Sequence, residues 1–274
     1  MLDKFIHVNS KGEVLDFFSL GMFANYNDLR DYEWSYTSAG DKIKRFTRGI
    51  VKKTVPFIFK VDPEKAIALK DRFYEHFEID VVTAKQGYFK VGDYRYYCYL
   101  DKYEADNYLL LPEYVTLKCE FVTDQPFWVQ EKTWSFWSSE TSDYGYLDYT
   151  YDYKYDFSAF ASGSRAINID HFKESDFKLT IYGPATLPRI LFNGRIYQVY
   201  TTLSKGEYLV IDSKYKIVTK HLTNGKAQNC FDLRNKQYSV FEKMPSGSLT
   251  AVWDASFGFD LMLYLERSQP KWNL

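Results

Sequence analysis

The sequence has few cysteines, and their positions argue against a disulfide framework. Only Cys98, Cys119 and Cys230 occur in 274 residues. An odd number of cysteines cannot all pair, and none of the three is spaced from another like a pair of metal ligands. We therefore expect three buried, reduced thiols in a protein of a reducing compartment.

A charge excess and long apolar runs are also missing. The chain has 35 basic and 36 acidic residues, which gives a net charge of -1. A surface without a basic field is not suited to holding nucleic acid through its phosphates, so we expect no specific nucleic-acid binding. No apolar run approaches the roughly 18 residues of a membrane span, and the first residues do not resemble a secretion signal. We therefore expect no contact with a membrane.

Sequence motifs for catalysis or metal binding are absent too. There is no nucleophile elbow, phosphate loop or dinucleotide fingerprint. The four histidines are His7, His76, His171 and His221. None of them has a two-histidine metal spacing, and we expect surface or capping roles for all four. The sequence thus predicts neither an enzyme nor a cofactor or metal site.

Two acidic pairs could in principle supply the two carboxylates of a glycoside hydrolase. They are Asp152 with Asp156, and Glu207 with Asp212. Acidic residues are common, and a pair without further motif residues favours structural or solvated roles over catalysis.

Aromatic residues, in contrast, are abundant, with 25 tyrosines and 22 phenylalanines. Such side chains suit half-buried strands and protein interfaces. From Val115 to Phe121 apolar and polar residues alternate, which predicts a strand that Pro126 ends just before Trp128. A similar strand from Phe257 is followed by Pro270 and Trp272. This repetition suggests two domains that close in the same manner.

Local signals predict a mainly β protein with one helix. Asp62, Pro63 and an apolar stripe predict a helix from Pro63 to about Phe77. Two strands are expected between residues 43 and 60, with a break near Lys52-Lys53 and with Pro56 on an edge strand. Gly92-Asp93 and Asn193-Gly194 predict two-residue hairpins. Regular turns after Phe177 indicate an antiparallel β-sandwich.

The predicted domains are residues 1–130, a connector at 131–165 and a sandwich at 166–274. The connector is rich in aromatic residues, and those considered for contact with another molecule are Trp134, Trp137, Tyr149, Tyr151, Tyr153 and Tyr155. One interpretation is an extended segment whose tyrosine face packs on a domain. The other is an aromatic platform that contacts a saccharide or a partner protein.

Several blocks of sequence resemble the distal tail proteins of long-tailed phages and prophages of Gram-positive bacteria. The block 27–34, Asn-Asp-Leu-Arg-Asp-Tyr-Glu-Trp, looks like a signature of these proteins. Further blocks follow in the expected order along nearly the whole chain: Arg48-Gly49, Gly87-Tyr88-Phe89, 121–128, 181–184, Asn193-Gly194 with Tyr197, 206–213, Asn229 with Phe231 and Arg234, 245–247 and 266–272.

This resemblance implies both a fold and a role. The fold would be an N-terminal β-domain with one α-helix and a protruding hairpin, followed by a galectin-like antiparallel β-sandwich. The N-terminal domains would form a homo-hexameric ring between the tail tube protein and the tail-associated tip protein, with DNA passing through its lumen. The sandwich would point outward, where in some phages it carries the receptor-binding protein.

The location that this resemblance implies is the tip of the virion tail, after synthesis in the cytoplasm of the host bacterium. The alternative hypothesis is a carbohydrate-binding module that recognises a saccharide of the host cell wall.

Overall fold

The structure, a computed structural model, describes residues 5–24, 29–60, 63–106, 115–138 and 163–271. It is mainly β with one α-helix, as the sequence predicts. The strands are β1 (Phe5–Val8), β2 (Val14–Asp16), β3 (Met22–Ala24), β4 (Ser35–Ala39), β5 (Lys42–Thr47), β6 (Val51–Phe59), β7 (Gly87–Val91), β8 (Tyr94–Asp106), β9 (Val115–Thr123), β10 (Trp128–Phe136), β11 (Gly163–Ile169), β12 (Asp176–Tyr182), β13 (Ala185–Thr186), β14 (Arg189–Phe192), β15 (Arg195–Gln198), β16 (Thr202–Leu203), β17 (Tyr208–Asp212), β18 (Ile217–His221), β19 (Ala227–Asn229), β20 (Gly247–Trp253) and β21 (Phe259–Arg267). The helix α1 spans Pro63–Thr83.

The chain divides into two compact units. Unit 1 contains residues up to Gln130 together with the chain from Glu266 onward, and unit 2 contains Glu131–Leu265. The sequence predicts instead that one sandwich runs from 166 to 274 after a separate connector at 131–165. In the structure, residues 131–136 and 163–165 of that predicted connector are strand residues of unit 2.

Unit 1 consists of antiparallel strands that wrap around an aromatic core. One set pairs in the order β2-β1-β7-β8, and a second set pairs in the order β3-β6-β9-β8. The long strand β8 belongs to both sets, because its first residues pair with β7 and its later residues pair with β9. Between the two sets lie fully buried phenylalanines, including Phe57, Phe89 and Phe121, which makes this core the main stabilising element of the unit.

The helix α1 packs against this core through Phe73 and Phe77, the two aromatic residues of the predicted stripe. It ends at Thr83, six residues beyond the predicted end near Phe77. The predicted end was wrong because, in the last turns of the helix, a polar residue is buried and an apolar residue is exposed. Asp80 is buried while Val82 is exposed, so the apolar pattern no longer marks the face of the helix that packs.

The predicted break near Lys52-Lys53 is also wrong, since both lysines lie inside β6. The break lies at residues 48–50, around Gly49. Lys52 points to solvent and pairs with Asp101, so its charge marks an exposed strand face and not a loop. Pro56 lies on an edge, as predicted, because among the described residues β6 pairs there only with Lys118 of β9. The strand β3 pairs only with residues 57–59 of β6.

Pro126 and Trp128 do not end the first domain in the expected way. The strand β9 ends at Thr123, and Trp128 begins the next strand, where its indole nitrogen donates a hydrogen bond to the Leu29 carbonyl over 3.2 Å. At the other end of the chain, the Pro270 carbonyl accepts a hydrogen bond from Arg30. Both Pro126 and Pro270 therefore belong to unit 1, so the two motifs do not each close a separate domain.

Unit 2 is an antiparallel β-sandwich. One sheet contains β21, β12, β17, β18 and β19 side by side, and the other contains β11, β20, β14 and β15. The alternating residues Phe177, Leu179 and Ile181 of β12 are all fully buried, as their period of two predicts. The core also contains Phe136 of β10, whose ring stacks on Phe259 at 4.4 Å.

The β14–β15 hairpin turns at Asn193-Gly194, as predicted, and both residues have a positive φ. The Asn193 side chain donates to the Ser248 carbonyl and accepts from the Thr250 amide. We predict that Asn193→Ala lowers the free energy of unfolding by about 2 kcal/mol, because alanine strains the left-handed backbone and loses both hydrogen bonds.

The matched variant for this prediction is Asn193→Gly, which tolerates the positive φ but also loses the hydrogen bonds. It should cost about 1 kcal/mol less than Asn193→Ala in urea unfolding. Equal costs for the two variants would mean that backbone strain at this position makes no contribution.

Candidate interaction surface

Residues 35–47 form an arm that projects from unit 1. The strands β4 and β5 pair only with each other among the residues that the structure describes, and every residue from 35 to 46 is exposed. Tyr36 and Phe46 are paired across the two strands with their ring centroids 6.3 Å apart. Ile43 is also more than half exposed. The arm thus presents apolar side chains to solvent that a monomer leaves uncovered.

The arm is also basic. It contains Lys42, Lys44 and Arg45 but only one acidic residue, Asp41, in its turn. The resemblance implies a protruding hairpin in this domain, but sequence reasoning did not place it at residues 35–47. A usable signal is present there: the run Lys-Ile-Lys-Arg-Phe does not alternate as a half-buried strand would. A strand whose apolar and basic residues are all exposed is typical of a surface that another molecule covers.

At the base of the arm, the Arg48 guanidinium lies in a cage of three aromatic rings. Its central carbon is 5.7 Å from the ring centroids of Tyr32 and Trp34, and 5.0 Å from that of Phe127. Burial lowers the pKa of Arg48 from its ordinary value, although arginine stays cationic at any physiological pH. Among the described residues, its buried Nε and Nη1 atoms have no hydrogen-bond partner.

The exposed face of α1 has the opposite charge. Asp71, Glu75 and Glu78 are exposed and lie along one side of the helix, because residues three and four positions apart are neighbours on its surface. Ile67 and Val82 lie at the two ends of the same stripe, and both are more than half exposed. A depression of about 410 Å³ lies against this face, lined in part by Glu75, Glu78 and Val82.

Two of the four histidines are buried, which corrects the prediction of surface or capping roles. His7 Nδ1 of β1 lies 2.9 Å from His76 Nε2 of α1, so one of the two nitrogens donates a hydrogen bond to the other. The Asp80 carboxylate lies 4.0 Å from His7 Nε2 and accepts a hydrogen bond from the Ser10 amide. Gly87 of β7 lies directly beside this cluster and leaves no room for a side chain.

The pKa values in this cluster are shifted mainly by burial. Burial, and then the neighbouring His76, hold the pKa of His7 well below its ordinary value. Burial lowers the pKa of His76 to about 4, with Arg72 acting in the same direction and Glu13 opposing. Burial also raises the pKa of Asp80, against the hydrogen bonds from Ser10. The cluster therefore connects β1 to α1 with both imidazoles neutral at neutral pH.

The aromatic residues expected in the connector are only partly described. Trp134 is half-buried and Trp137 is 78% exposed, at the end of β10. Tyr149, Tyr151, Tyr153 and Tyr155 lie outside the described residues. Contact of these six residues with a saccharide or a partner protein stays a prediction.

The acidic pair that the structure describes has structural roles. Glu207 forms an ion pair with Lys220 at 2.8 Å, and the Asp212 carboxylate accepts hydrogen bonds from the amides of Lys214 and Tyr215 and from the Tyr264 hydroxyl. The other pair, Asp152 and Asp156, lies outside the described part of the chain. Within the described ranges, no group of three or more His, Cys, Asp or Glu side chains is placed to hold a metal ion.

The three cysteines are free and buried, as predicted. Burial raises the pKa of all three thiols. Within the described residues, no helix is long and apolar enough to cross a membrane.

These features define a class of fold: an antiparallel β-unit that carries one helix and an exposed arm, into which a β-sandwich is inserted. No protein-family model and no curated protein sequence matches the chain. Solved structures of phage tail components, however, share its fold over nearly the whole length.

The Dit protein (gp 19.1) of phage SPP1 is one of these structures, described as a paradigm of the hub adsorption apparatus in phages that infect Gram-positive bacteria. It is 9% identical to this chain, with a TM-score of 0.59, and the match covers 97% of this chain and 100% of that one. Two structures of the phage P2 baseplate in its activated conformation, one with calcium and one with strontium, also contain a matching chain. Both matching chains are 12% identical to this chain, and each match covers 96% of this chain and 98% of the other. The TM-scores are 0.55 for the calcium structure and 0.57 for the strontium structure. The chain therefore has the fold of phage tail hub proteins.

Proposed function

We propose that this chain is a structural hub subunit of a phage tail tip, in which six copies form a ring. The similarity of fold along the full length of the SPP1 hub protein is the main support for this proposal. Because both units are matched, the similarity extends beyond a common sandwich architecture, which by itself would say little about function.

The exposed arm of unit 1 is a second, independent support. A free monomer would leave Tyr36, Ile43 and Phe46 in water, whereas a subunit of an assembly buries such residues against a neighbour. The opposite charges of the arm and of the α1 face also suit a contact between copies. A structural role in an assembly needs surfaces of this kind and requires no catalytic group.

In the proposed assembly, the ring joins the tail tube protein to the tail-associated tip protein at the distal end of the tail. The near-zero net charge of the chain is compatible with a lumen through which DNA passes without binding. A receptor-binding protein would attach on unit 2. The protein would be made in the cytoplasm of the host bacterium and would act in the virion.

The test is the mass and shape of the purified full-length protein at about 10 µM, since assembly depends on protomer concentration. Light scattering should give about six times the 32.4 kDa chain mass, or about twelve times for two rings back to back. Negative-stain microscopy should show rings with a central opening. A protein that stays monomeric, also when its tail tube and tip partners are added, would contradict the proposed function.

A further inference from the structure

We propose that unit 2 contains a binding site for the phosphate ester of a sugar, in a cleft beside residues 231–241. The cleft has a volume of about 570 Å³, which is within the range of sites that hold small ligands. Its lining includes cationic and aromatic side chains, which are Lys216, Phe231, Arg234, Lys236, Tyr238 and Phe241. The site goes beyond the proposed function, because a hub subunit requires no small ligand in order to assemble.

The first argument is the charge of the cleft. Lys216, Arg234 and Lys236 line it, and none of the described residues that line it is acidic. Asp232 lies 4.0 Å from Arg234, but its side chain is 95% exposed, so water screens this pair. A phosphate monoester carries a charge of about −1.5 to −2 at neutral pH, whereas a carboxylate carries a single charge. Three cations at one cleft therefore favour a phosphate.

The second argument is the way in which Arg234 is held. Its central guanidinium carbon lies 3.7 Å from the ring centroid of Phe231, and that ring stacks on Phe241 with the centroids 5.9 Å apart. A guanidinium has five N–H donors, and among the described residues Arg234 donates a hydrogen bond only to the Phe231 carbonyl. The other donors can bind two oxygens of one phosphate, which is the geometry that arginine favours.

The third argument is that the wall of the cleft is already ordered. The buried Asn235 side chain accepts hydrogen bonds from the amides of Gln237 and Tyr238. Its own amide donates to the Gln198 carbonyl of β15. These bonds fix the loop on the sandwich, so a ligand does not have to order it on binding.

The fourth argument is the aromatic surface, which indicates an organic phosphate. Tyr238 is 51% exposed, and Phe241 is half-buried with the Lys216 ammonium 5.4 Å from its ring centroid. A free phosphate ion would leave this surface uncovered. The apolar face of a sugar ring can pack on it while the sugar hydroxyls stay in contact with water or with the tyrosine hydroxyl. A sugar phosphate thus matches both the cations and the rings.

Calorimetric titration of the full-length protein tests the site. The probes are glucose 1-phosphate, inorganic phosphate and glucose, each up to about 10 mM. Glucose 1-phosphate should bind at least about tenfold more tightly than inorganic phosphate, because only the ester also covers the aromatic surface. Glucose should show no binding, because it lacks the charge that the cations attract.

Two variants separate the contributions of charge and of the aromatic surface. Arg234→Met keeps an unbranched side chain over Phe231 and should weaken the binding of glucose 1-phosphate at least about tenfold. Tyr238→Ser should weaken the binding of glucose 1-phosphate about threefold and leave that of inorganic phosphate unchanged. The double variant K216Q with K236Q, on two exposed positions, should weaken the binding of both anions.

The matched control is Arg165→Met, also in unit 2. Arg165 lies over a phenylalanine ring and donates to a backbone carbonyl, as Arg234 does, but it is not among the residues that line the cleft. This variant should bind glucose 1-phosphate like wild type. The melting temperatures of all variants show whether they are folded, and the double lysine variant tests the site even if Arg234→Met does not fold.

Several results would overturn the inference. They are a wild-type protein that does not bind glucose 1-phosphate, equal affinity for glucose 1-phosphate and inorganic phosphate, and an equal loss of binding in Arg165→Met and Arg234→Met. A short polyglutamate peptide that binds more tightly than glucose 1-phosphate would also overturn it and would assign the cleft to an acidic protein partner. None of these measurements depends on whether the protein forms rings.

Discussion

Replacing Trp128 with alanine should lower the free energy of unfolding by about 4 kcal/mol, the typical cost of removing a buried tryptophan. The indole is fully buried, and its ring centroid lies 5.2 Å from that of Tyr96. Its nitrogen also bonds the carbonyl of Leu29, which ties the loop before the arm to β10. The substitution therefore leaves a cavity and a buried carbonyl without its donor.

Urea unfolding followed by circular dichroism measures this cost. Trp128→Phe is the matched variant: it keeps most of the ring and loses the hydrogen bond, so it should cost about 1–2 kcal/mol. Trp137→Ala removes the same side chain where it is mostly exposed and should change stability by less than about 0.5 kcal/mol. A cost for Trp128→Ala no larger than that for Trp137→Ala would show that the indole does not support the fold.

Acidification should destabilise unit 1 through the buried pair His7 and His76. Both folded-state pKa values lie below the ordinary value near 6.5, so the unfolded chain binds protons that the folded chain excludes. The stability that comes from keeping both histidines neutral is fully present above about pH 6.5. It is lost as the pH falls toward the folded-state pKa values of the two side chains. For His76, with a pKa of about 4, the loss amounts to about 3 kcal/mol by that pH.

The contribution of Asp80 has the opposite sign. Its raised pKa means that the folded state takes up a proton more readily than the unfolded chain, which offsets part of the loss at the acidic end. Protonation of both imidazoles would turn the 2.9 Å contact into two opposing N–H donors. The steepest loss from His76 is therefore expected near pH 5, between its ordinary pKa near 6.5 and its folded-state pKa of about 4.

Urea unfolding at several pH values between about 7.5 and 5 measures this slope. The double variant His7→Asn with His76→Gln removes both titrating groups while keeping side chains that can form hydrogen bonds, and its slope should be shallower by up to about 2.7 kcal/mol per pH unit. His221→Gln, on β18 of unit 2, is the control and should leave the slope of unit 1 unchanged. An equally steep slope in the double variant would rule out the histidine pair as the cause.

Much of the fold follows from local patterns in the sequence. The alternation at Phe177, Leu179 and Ile181 predicts their burial because a strand directs successive side chains to opposite faces. The hairpins at Gly92-Asp93 and Asn193-Gly194 are predictable because their turns require a positive φ. The order of the blocks that resemble distal tail proteins indicates the overall class of fold.

The rest depends on contacts between distant parts of the chain. His7 and His76 are 69 residues apart, and nothing near either residue in the sequence marks the other as its partner. Arg30 reaches Pro270 across 240 residues. The resemblance to distal tail proteins implies a protruding hairpin, but the sequence does not locate it at residues 35–47. Residues 35–46 are all exposed, so the apolar periodicity that reveals packed strands is absent there.

Unit 1 is discontinuous in the sequence and unit 2 is continuous, and this difference sets the order in which the two units can fold during synthesis. Unit 1 lacks Glu266 and the residues that follow until the ribosome has made all of unit 2. The sandwich can thus fold on the nascent chain before the surrounding unit is complete, since domains generally fold as units. Neighbouring ribosomes on one messenger would then carry chains whose proposed ring-forming unit is still unfinished, which delays association until Glu266 and the residues after it have been made.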